Sequence, residues 1–195
     1  MLRVLHIFDF DDTLVHSLAQ VRVTNASGEE VSLSSHAYAS YTEKPGDQFD
    51  FSDFELYPAG ATLIPDTFST LLDAISTSGP ENVVILTARS HDKPVQEFLS
   101  DNGVRNVNIA AIGSSVPRDK AKHVMNLIKT GDYDEVRVHE DSADNIRAIR
   151  RVVDKNGIRF QSTLVQSKPK QKAGLVERRI KLKSVLRRII REVVG

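Results

Sequence analysis

The chain has 195 residues, of which 40% are hydrophobic, so its length and composition suit one globular domain with room for an appendage. It contains no cysteine, which excludes disulfide bonds and thiolate chemistry and is compatible with a reducing, cytoplasmic setting. Acidic residues occur by position 9, and no apolar run approaches the roughly 20 residues that span a bilayer. We therefore expect neither a signal peptide nor a transmembrane segment.

The formal net charge of zero conceals two oppositely charged parts. Residues 1–165 carry 16 Lys and Arg against 24 Asp and Glu, a net charge of −8. Residues 166–195 carry 10 against 2, a net charge of +8. The function assigned to the chain has to explain this asymmetry, because blocks of like charge at a chain end are often interaction tails.

The first predicted element is a buried strand that ends in a group of acids. An apolar run from Val4 contains neither Gly nor Pro, and Asp9, Asp11, Asp12 and Thr13 follow it. In open α/β sheets, ligands bind at the carboxyl ends of the strands. Neighbouring carboxylates repel one another, and a hard cation such as Mg²⁺ would neutralise them. The alternative is a solvated acidic loop without a ligand.

Residues 15–57 form a predicted insertion that we interpret as a small cap, or flap. Val21–Asn25 and Glu30–Leu33 alternate in polarity around a connection that contains Gly28, which predicts a β-hairpin. From Ser34 to Tyr57 there is little periodicity but several aromatic residues, which indicate a packed loop. These aromatics either cover the end of the sheet or contact a substrate.

Helices and strands then alternate along the chain. Helical spacing occurs from Phe68 to Ile75, after an N-cap at Ser90, after Pro117 and from Ile146 to Val153. The predicted strands between and after these helices are Val83–Leu86, Val107–Ile112, Glu135–His139 and Arg159–Val165. This alternation predicts an α/β fold for residues 1–165, with a Rossmann-like parallel sheet of about five strands and helices on both faces.

The C-terminal part reads as a polar linker, residues 166–173, followed by a basic amphipathic helix, residues 174–195. Apolar residues in the helix recur at spacings of four, three and four, and Lys and Arg fill most other positions; the apolar residues are Leu182, Leu186, Ile189 and Val193. The helix could dock on the acidic body, pair with a second copy, or bind nucleic acid or an anionic membrane through residues 168–191. The oligomeric state stays open.

The stretch Asp9-Phe10-Asp11-Asp12-Thr13 resembles the first signature, Asp-x-Asp-x-Thr, of the haloacid dehalogenase (HAD) superfamily. Three later positions resemble the remaining signatures in the order of that family: Thr87 at a strand end, Lys120 or Lys122 at a helix start, and Glu140-Asp141 directly after the predicted strand Glu135–His139. The resemblance covers about residues 3–165. Glu140 is a departure, because the family more often has Asp at this position.

The resemblance implies a phosphatase that works through an aspartyl-phosphate intermediate. Asp9 would attack phosphorus as a carboxylate nucleophile, and Asp11 would protonate the leaving oxygen and then deprotonate the hydrolytic water. Thr87 would donate a hydrogen bond to the phosphoryl group, and Lys120 would stabilise its charge. An Asp at position 11 favours a phosphatase or phosphomutase over other members of the superfamily, and the small insertion favours hydrolysis.

The resemblance also implies a magnesium site and a substrate site. Asp9, Asp141 and the main-chain carbonyl of Asp11 would hold Mg²⁺. Thr13 would keep the geometry of the substrate-binding loop, and Arg89 could grip a substrate phosphate with two hydrogen bonds. Asp144 could either support this site or start the next helix.

The substrate is a phosphate monoester that the sequence does not identify. Leu86-Thr87-Ala88-Arg89 is similar to a segment of compact phosphatases in phage genomes and of the phosphatase half of polynucleotide kinases, which removes 3′-phosphates. A nucleotide or a nucleic-acid 3′-end is therefore a candidate substrate. The alternative function is a non-catalytic HAD-fold binding module that acts through its basic helix on nucleic acid or a partner.

Overall fold

The computed structural model of the protein describes residues 2–166. The linker predicted at 166–173, apart from Gln166, and the helix predicted at 174–195 lie outside the described residues. The strands within the described range are β1 (Val4–Phe8), β2 (Val15–His16), β3 (Gln20–Thr24), β4 (Glu30–Ser34), β5 (Gln48–Asp50), β6 (Thr62–Leu63), β7 (Val83–Thr87), β8 (Asn108–Ala111), β9 (Glu135–Glu140) and β10 (Arg159–Leu164).

Five α helices and two short 3₁₀ helices accompany the strands in this range. The α helices are α1 (Ser35–Ala39), α2 (Pro65–Ser78), α3 (Lys93–Asp101), α4 (Pro117–Thr130) and α5 (Ala143–Lys155), and the 3₁₀ helices are Ser52–Glu55 and Pro80–Asn82. The longest, α2 and α4, have 14 residues each. Within residues 2–166, no helix combines the length and the apolar character that a membrane crossing needs.

The central sheet has five parallel strands in the order β10-β9-β1-β7-β8, which confirms the predicted α/β fold with a Rossmann-like sheet. All five side chains of β1 are buried, as expected for the middle strand of a sheet that is covered on both faces. The chain runs from β1 to one edge and then returns to β9 on the other side. The connection after β1 therefore leads to one side of the sheet, and the connection after β9 leads to the other side. The carboxyl ends of β1 and β9 border the crevice between these connections, which is where ligands bind in such sheets.

Alternate residues of β1 and β7 point into two separate cores, because successive side chains of a strand face opposite sides of its sheet. Phe8 and Ile85 pack with α2 and α3 on one face, while Leu5 and Leu86 pack with α4 and α5 on the other. Leu71 of α2 is fully buried, and burying one such side chain stabilises the fold by about 1.5–3 kcal/mol. The two cores hold the carboxyl ends of β1, β7 and β9 at one edge of the sheet.

The cap is a three-stranded antiparallel sheet in the order β4-β3-β5, and the short antiparallel β2-β6 pair joins the two ends of the segment that contains it. The predicted hairpin is confirmed as β3 and β4. A packed loop was predicted after the hairpin, but α1, β5 and a 3₁₀ helix lie there instead. β5 has only three residues, too few for an alternating pattern, and its pairing with β3 is supported by Arg22, which donates to Asp50 and Asp53.

An aromatic cluster stabilises the cap from within. Tyr38 of α1 meets Phe49 and Phe51 edge to face, at centroid distances of 5.7 and 5.3 Å, and Tyr41 meets Phe49 at 6.2 Å. Such pairs add to the energy of burial. Four of the aromatic residues noted in the sequence therefore pack against one another.

The predicted N-cap at Ser90 is also wrong. Helix α3 begins at Lys93, after Asp92 as the capping residue, although Pro94 does lie in its first turn as predicted. The backbone carbonyl of Arg89 accepts a hydrogen bond from the backbone N–H of Gly113. This bond holds the segment after β7 against the segment after β8. The N-cap position falls at Asp92, because Asp is preferred there as much as Ser.

Candidate active site

Three carboxylates meet at the carboxyl ends of β1 and β9. Asp9, Glu140 and Asp141 each offer an oxygen within 4.8 Å of those of the other two. Phe8 pairs with His139 across the two strands, and the N–H of Asp9 donates to the carbonyl of His139 at 3.0 Å. The residues that follow these two strands are therefore side by side, as the order of the sheet requires.

Helix α4 brings a buried lysine to this cluster. The Nζ atom of Lys120 donates to Asp9 Oδ1 at 2.7 Å and to Glu140 Oε2 at 2.8 Å, and the residue is only 3% exposed. Lys122 lies on the exposed side of the same helix. Of the two lysines that the sequence left open, the structure places Lys120 in contact with Asp9.

One ammonium group faces three carboxyl groups, so ionisation of all three would leave an excess of negative charge in the cluster. Burial raises the pKa of Asp9 to about 7, although the charge of Lys120 opposes this shift. Burial, together with the charges of Asp9 and Glu140, raises the pKa of Asp141 to about 9. Burial lowers the pKa of Lys120, but the charges of Asp9 and Glu140 outweigh it and raise that pKa above its ordinary value.

The donor set fits a hard divalent cation. Carboxylate oxygens are the ligands that Mg²⁺ prefers in proteins, and a bound cation lowers the pKa of nearby acids and so offsets their repulsion. The sequence assigned Asp9 and Asp141 to this site and left the role of Glu140 open. The structure adds the side chain of Glu140, which also accepts a hydrogen bond from the N–H of Ser142 at 3.2 Å.

Asp11 is held by Arg89, the residue expected to bind a substrate phosphate. Arg89 Nε donates to Asp11 Oδ2 and Arg89 Nη2 to Asp11 Oδ1, both at 2.8 Å. The same guanidinium donates to the backbone carbonyls of Phe54 and Leu56, at 2.9 and 3.2 Å, and to Ser17 Oγ at 3.4 Å. These contacts match its five N–H groups, so a phosphate would have to displace one of them.

The two threonines of the predicted site are both fully buried. Thr87 is the last residue of β7, and its Oγ1 accepts a hydrogen bond from the N–H of Arg89 at 3.2 Å. The hydroxyl proton of Thr87 is thus left for a second partner. Within residues 2–166, Thr13 Oγ1 has no hydrogen-bond partner, although it is buried.

Two further acids near the site have structural contacts. Asp12 has a φ angle of 57°, and Ser35 Oγ of the cap donates to its Oδ2 at 2.6 Å. Asp144 is exposed and pairs with Arg147 one turn along α5, while Ser142 caps this helix by accepting from the N–H of Asn145. Asp144 therefore belongs to the helix start, which was one of its two interpretations.

Comparisons with known proteins assign no family to this chain. No protein-family model and no curated protein matches the chain. Two crystal structures are similar to it, those of Legionella pneumophila effector Ceg4 with an N-terminal yeast Hog1p sequence and with an N-terminal TEV protease cleavage sequence. Each is 14% identical, with TM-scores of 0.49 and 0.48 over 97% and 100% of this chain and 96% of the other. At this level the likeness carries no argument about function.

Proposed function

We propose that the protein is a Mg²⁺-dependent phosphatase that hydrolyses a phosphate monoester through an aspartyl-phosphate on Asp9. The observation that supports this is the meeting of Asp9, Lys120, Glu140 and Asp141, from two strand ends and a helix, in one cluster at the switch point of the sheet. Ligand-binding crevices in open α/β sheets lie at this point, and pKa values shifted by burial and a charged partner are common in active sites.

In the proposed reaction, an Asp9 carboxylate oxygen forms a bond to phosphorus while the bond from phosphorus to the ester oxygen breaks. Asp11 gives its proton to the departing oxygen. In the second step Asp11 takes a proton from water, the water oxygen attacks phosphorus, and Asp9 leaves as a carboxylate with inorganic phosphate as the product. Asp9 and Asp11 are two residues apart on one loop, which would let them act on opposite sides of the same phosphoryl group.

The other residues would bind and neutralise the phosphoryl group. Lys120 would offset its charge beside Asp9, and the hydroxyl of Thr87 would donate to one of its oxygens. Asp9, Asp141 and the main-chain carbonyl of Asp11 would hold Mg²⁺, with Glu140 beside them. Bound Mg²⁺ supplies positive charge that reduces the repulsion between the dianionic ester and the carboxylates.

The test compares Asp9→Asn with Asp144→Asn, a matched change at an exposed acid outside the cluster. With 4-nitrophenyl phosphate and Mg²⁺, we expect Asp9→Asn to abolish hydrolysis and Asp144→Asn to keep it near the wild-type rate. Removal of the metal with a chelator should stop hydrolysis, and Mg²⁺ should restore it. Equal activity of Asp9→Asn and the wild type, with both folded by circular dichroism, would remove Asp9 from the nucleophile role.

The substrate part of the proposal names a nucleotide or a nucleic-acid 3′-end phosphate. It is supported by the basic composition of residues 168–191 and by the similarity of Leu86–Arg89 described above. A screen of small metabolites, nucleotides and oligonucleotides with a 3′- or 5′-phosphate would decide it. The cytoplasmic location expected from the cysteine-free sequence stays part of this proposal.

A second candidate function is binding without catalysis, which the charge of +8 on residues 166–195 favours. The body would then support the basic segment, and this segment would bind nucleic acid with a strong dependence on salt. The test is truncation after Gln166, which keeps all the described residues, with folding checked by circular dichroism. Loss of binding to a labelled oligonucleotide, with no hydrolysis by either form across the substrate screen, would support this function over the first.

A further inference from the structure

Arg89 connects the proposed acid–base residue to the cap. Its Nε and Nη2 atoms donate hydrogen bonds to the two carboxylate oxygens of Asp11. Its Nη1 atom donates to the backbone carbonyls of Phe54 and Leu56, which belong to the cap. The side chain of Arg89 is 0% exposed and that of Asp11 is 12% exposed. The guanidinium carbon also lies 5.3 Å from the ring centroid of Phe10 and 5.4 Å from that of Phe54.

We propose that Arg89 is a positioning residue that aims the Asp11 carboxyl group at the leaving oxygen, and that the cap segment 54–56 holds Arg89 in the required orientation. This inference rests on the phosphatase function proposed above. It replaces the interpretation of Arg89 as a phosphate ligand, because its five N–H groups are matched by contacts inside the protein.

The geometry favours positioning because a two-point contact fixes more than a single bond does. A bidentate guanidinium–carboxylate pair restricts both the distance and the plane of the carboxyl group. Asp11 lies in the loop after β1, where a second contact, from Ser35 Oγ to Asp12 Oδ2, also connects this loop to the cap. The cap therefore meets the loop of the proposed catalytic acids at two points, and small displacements of such groups cost large factors in rate.

Removing the Arg89 guanidinium should slow the departure of the leaving group more than it slows the other steps. Phenolate is a poor leaving group and needs a proton from Asp11, whereas 4-nitrophenolate departs readily without one. The kcat/KM value reports the steps up to the first departure of the leaving group, so phenyl and 4-nitrophenyl phosphate compare this step in two substrates of similar shape. Loss of a phosphate ligand or of overall packing would lower both values by the same factor.

The experiment measures kcat/KM for both esters with wild type, Arg89→Met, Arg89→Lys, Phe54→Ala and Arg22→Met. For Arg89→Met we expect a loss of about 100-fold with phenyl phosphate and less than about 10-fold with 4-nitrophenyl phosphate, the scale of a general acid's contribution. Arg89→Lys should recover part of the loss, and Phe54→Ala should shift the ratio of the two values in the same direction by a smaller factor.

Arg22→Met is the matched control, because Arg22 of β3 hydrogen-bonds to Asp50 and Asp53 inside the cap and makes no hydrogen bond to Asp11. For Arg22→Met, the ratio of kcat/KM with phenyl phosphate to kcat/KM with 4-nitrophenyl phosphate should equal that of the wild type. Equal losses with both esters in Arg89→Met would overturn the positioning role, and an unchanged ratio in Phe54→Ala would overturn the part assigned to the Phe54 ring in holding Arg89. If Arg89→Met does not fold, the ratios of Arg89→Lys and Phe54→Ala decide. A wild type inactive on both esters would instead refute the proposed phosphatase, and this inference with it.

Discussion

Replacing Lys120 with methionine removes the positive charge from the carboxylate cluster while keeping a long apolar side chain in its place. The side chains of Asp9 and Glu140, its two partners, are only 8% and 3% exposed. After the substitution these two carboxylates and Asp141 would face one another without a buried cation. We therefore expect the metal-free protein to lose stability, and a bound divalent cation to restore much of it.

The expected loss of stability follows from the burial of the ion pairs that Lys120 makes with Asp9 and Glu140. Breaking a buried ion pair by removing one partner costs about 3–5 kcal/mol. For a chain of this length 1 kcal/mol moves the melting temperature by about 2–4 °C, so Lys120→Met should melt about 6–20 °C below the wild type. Lys122→Met is the control on the same helix, and since Lys122 is exposed, we expect a change within about 0.5 kcal/mol.

The assay is thermal unfolding followed by circular dichroism, with a chelator and with Mg²⁺ in excess. We expect the difference between Lys120→Met and the wild type to shrink when Mg²⁺ is added, because the cation supplies the charge that the lysine supplied. Two results would refute the reasoning. One is an equal melting temperature for Lys120→Met and the wild type without metal, and the other is a loss of the same size with Mg²⁺ as without it.

Two further predictions concern the same edge of the sheet. The raised pKa values of Asp9, about 7, and Asp141, about 9, mean that the folded state keeps protons that the unfolded chain has already lost. In chelator the free energy of unfolding should therefore fall as the pH rises from about 7 to 9, a range above the ordinary pKa of histidine. Mg²⁺ should accordingly raise the melting temperature more at pH 8.5 than at pH 5.5, and equal shifts would contradict the pKa argument. Thr13→Val removes a buried hydroxyl that has no partner within residues 2–166, so stability should stay level or rise by about 1 kcal/mol in chemical denaturation. A loss above about 2 kcal/mol would show that the hydroxyl makes a contact important to the fold.

Much of the fold could be predicted because its signals are local. The stretch that became β7 is continuously apolar up to Thr87, that of β1 is interrupted only by His6, and β9 alternates apolar and polar residues, while the helices between strands carry an apolar face at helical spacing. The cap was harder to predict from the sequence, since β5 is three residues long and is defined by its pairing with β3. The start of α3 was missed because Ser90 and Asp92 are both preferred N-cap residues, and local sequence does not distinguish between them.

By itself the sequence determined that acids follow β1 and β9 and that parallel strands would bring them to one edge, since periodicity and strand direction are local properties of the chain. Only the tertiary structure decided which cation faces which acid. Lys120 meets Asp9 across 111 positions, and Arg89 meets Asp11 across 78. Such contacts depend on the rotation of α4 and on the path of the cap, which arise from packing between distant segments and leave no pattern at the residues themselves.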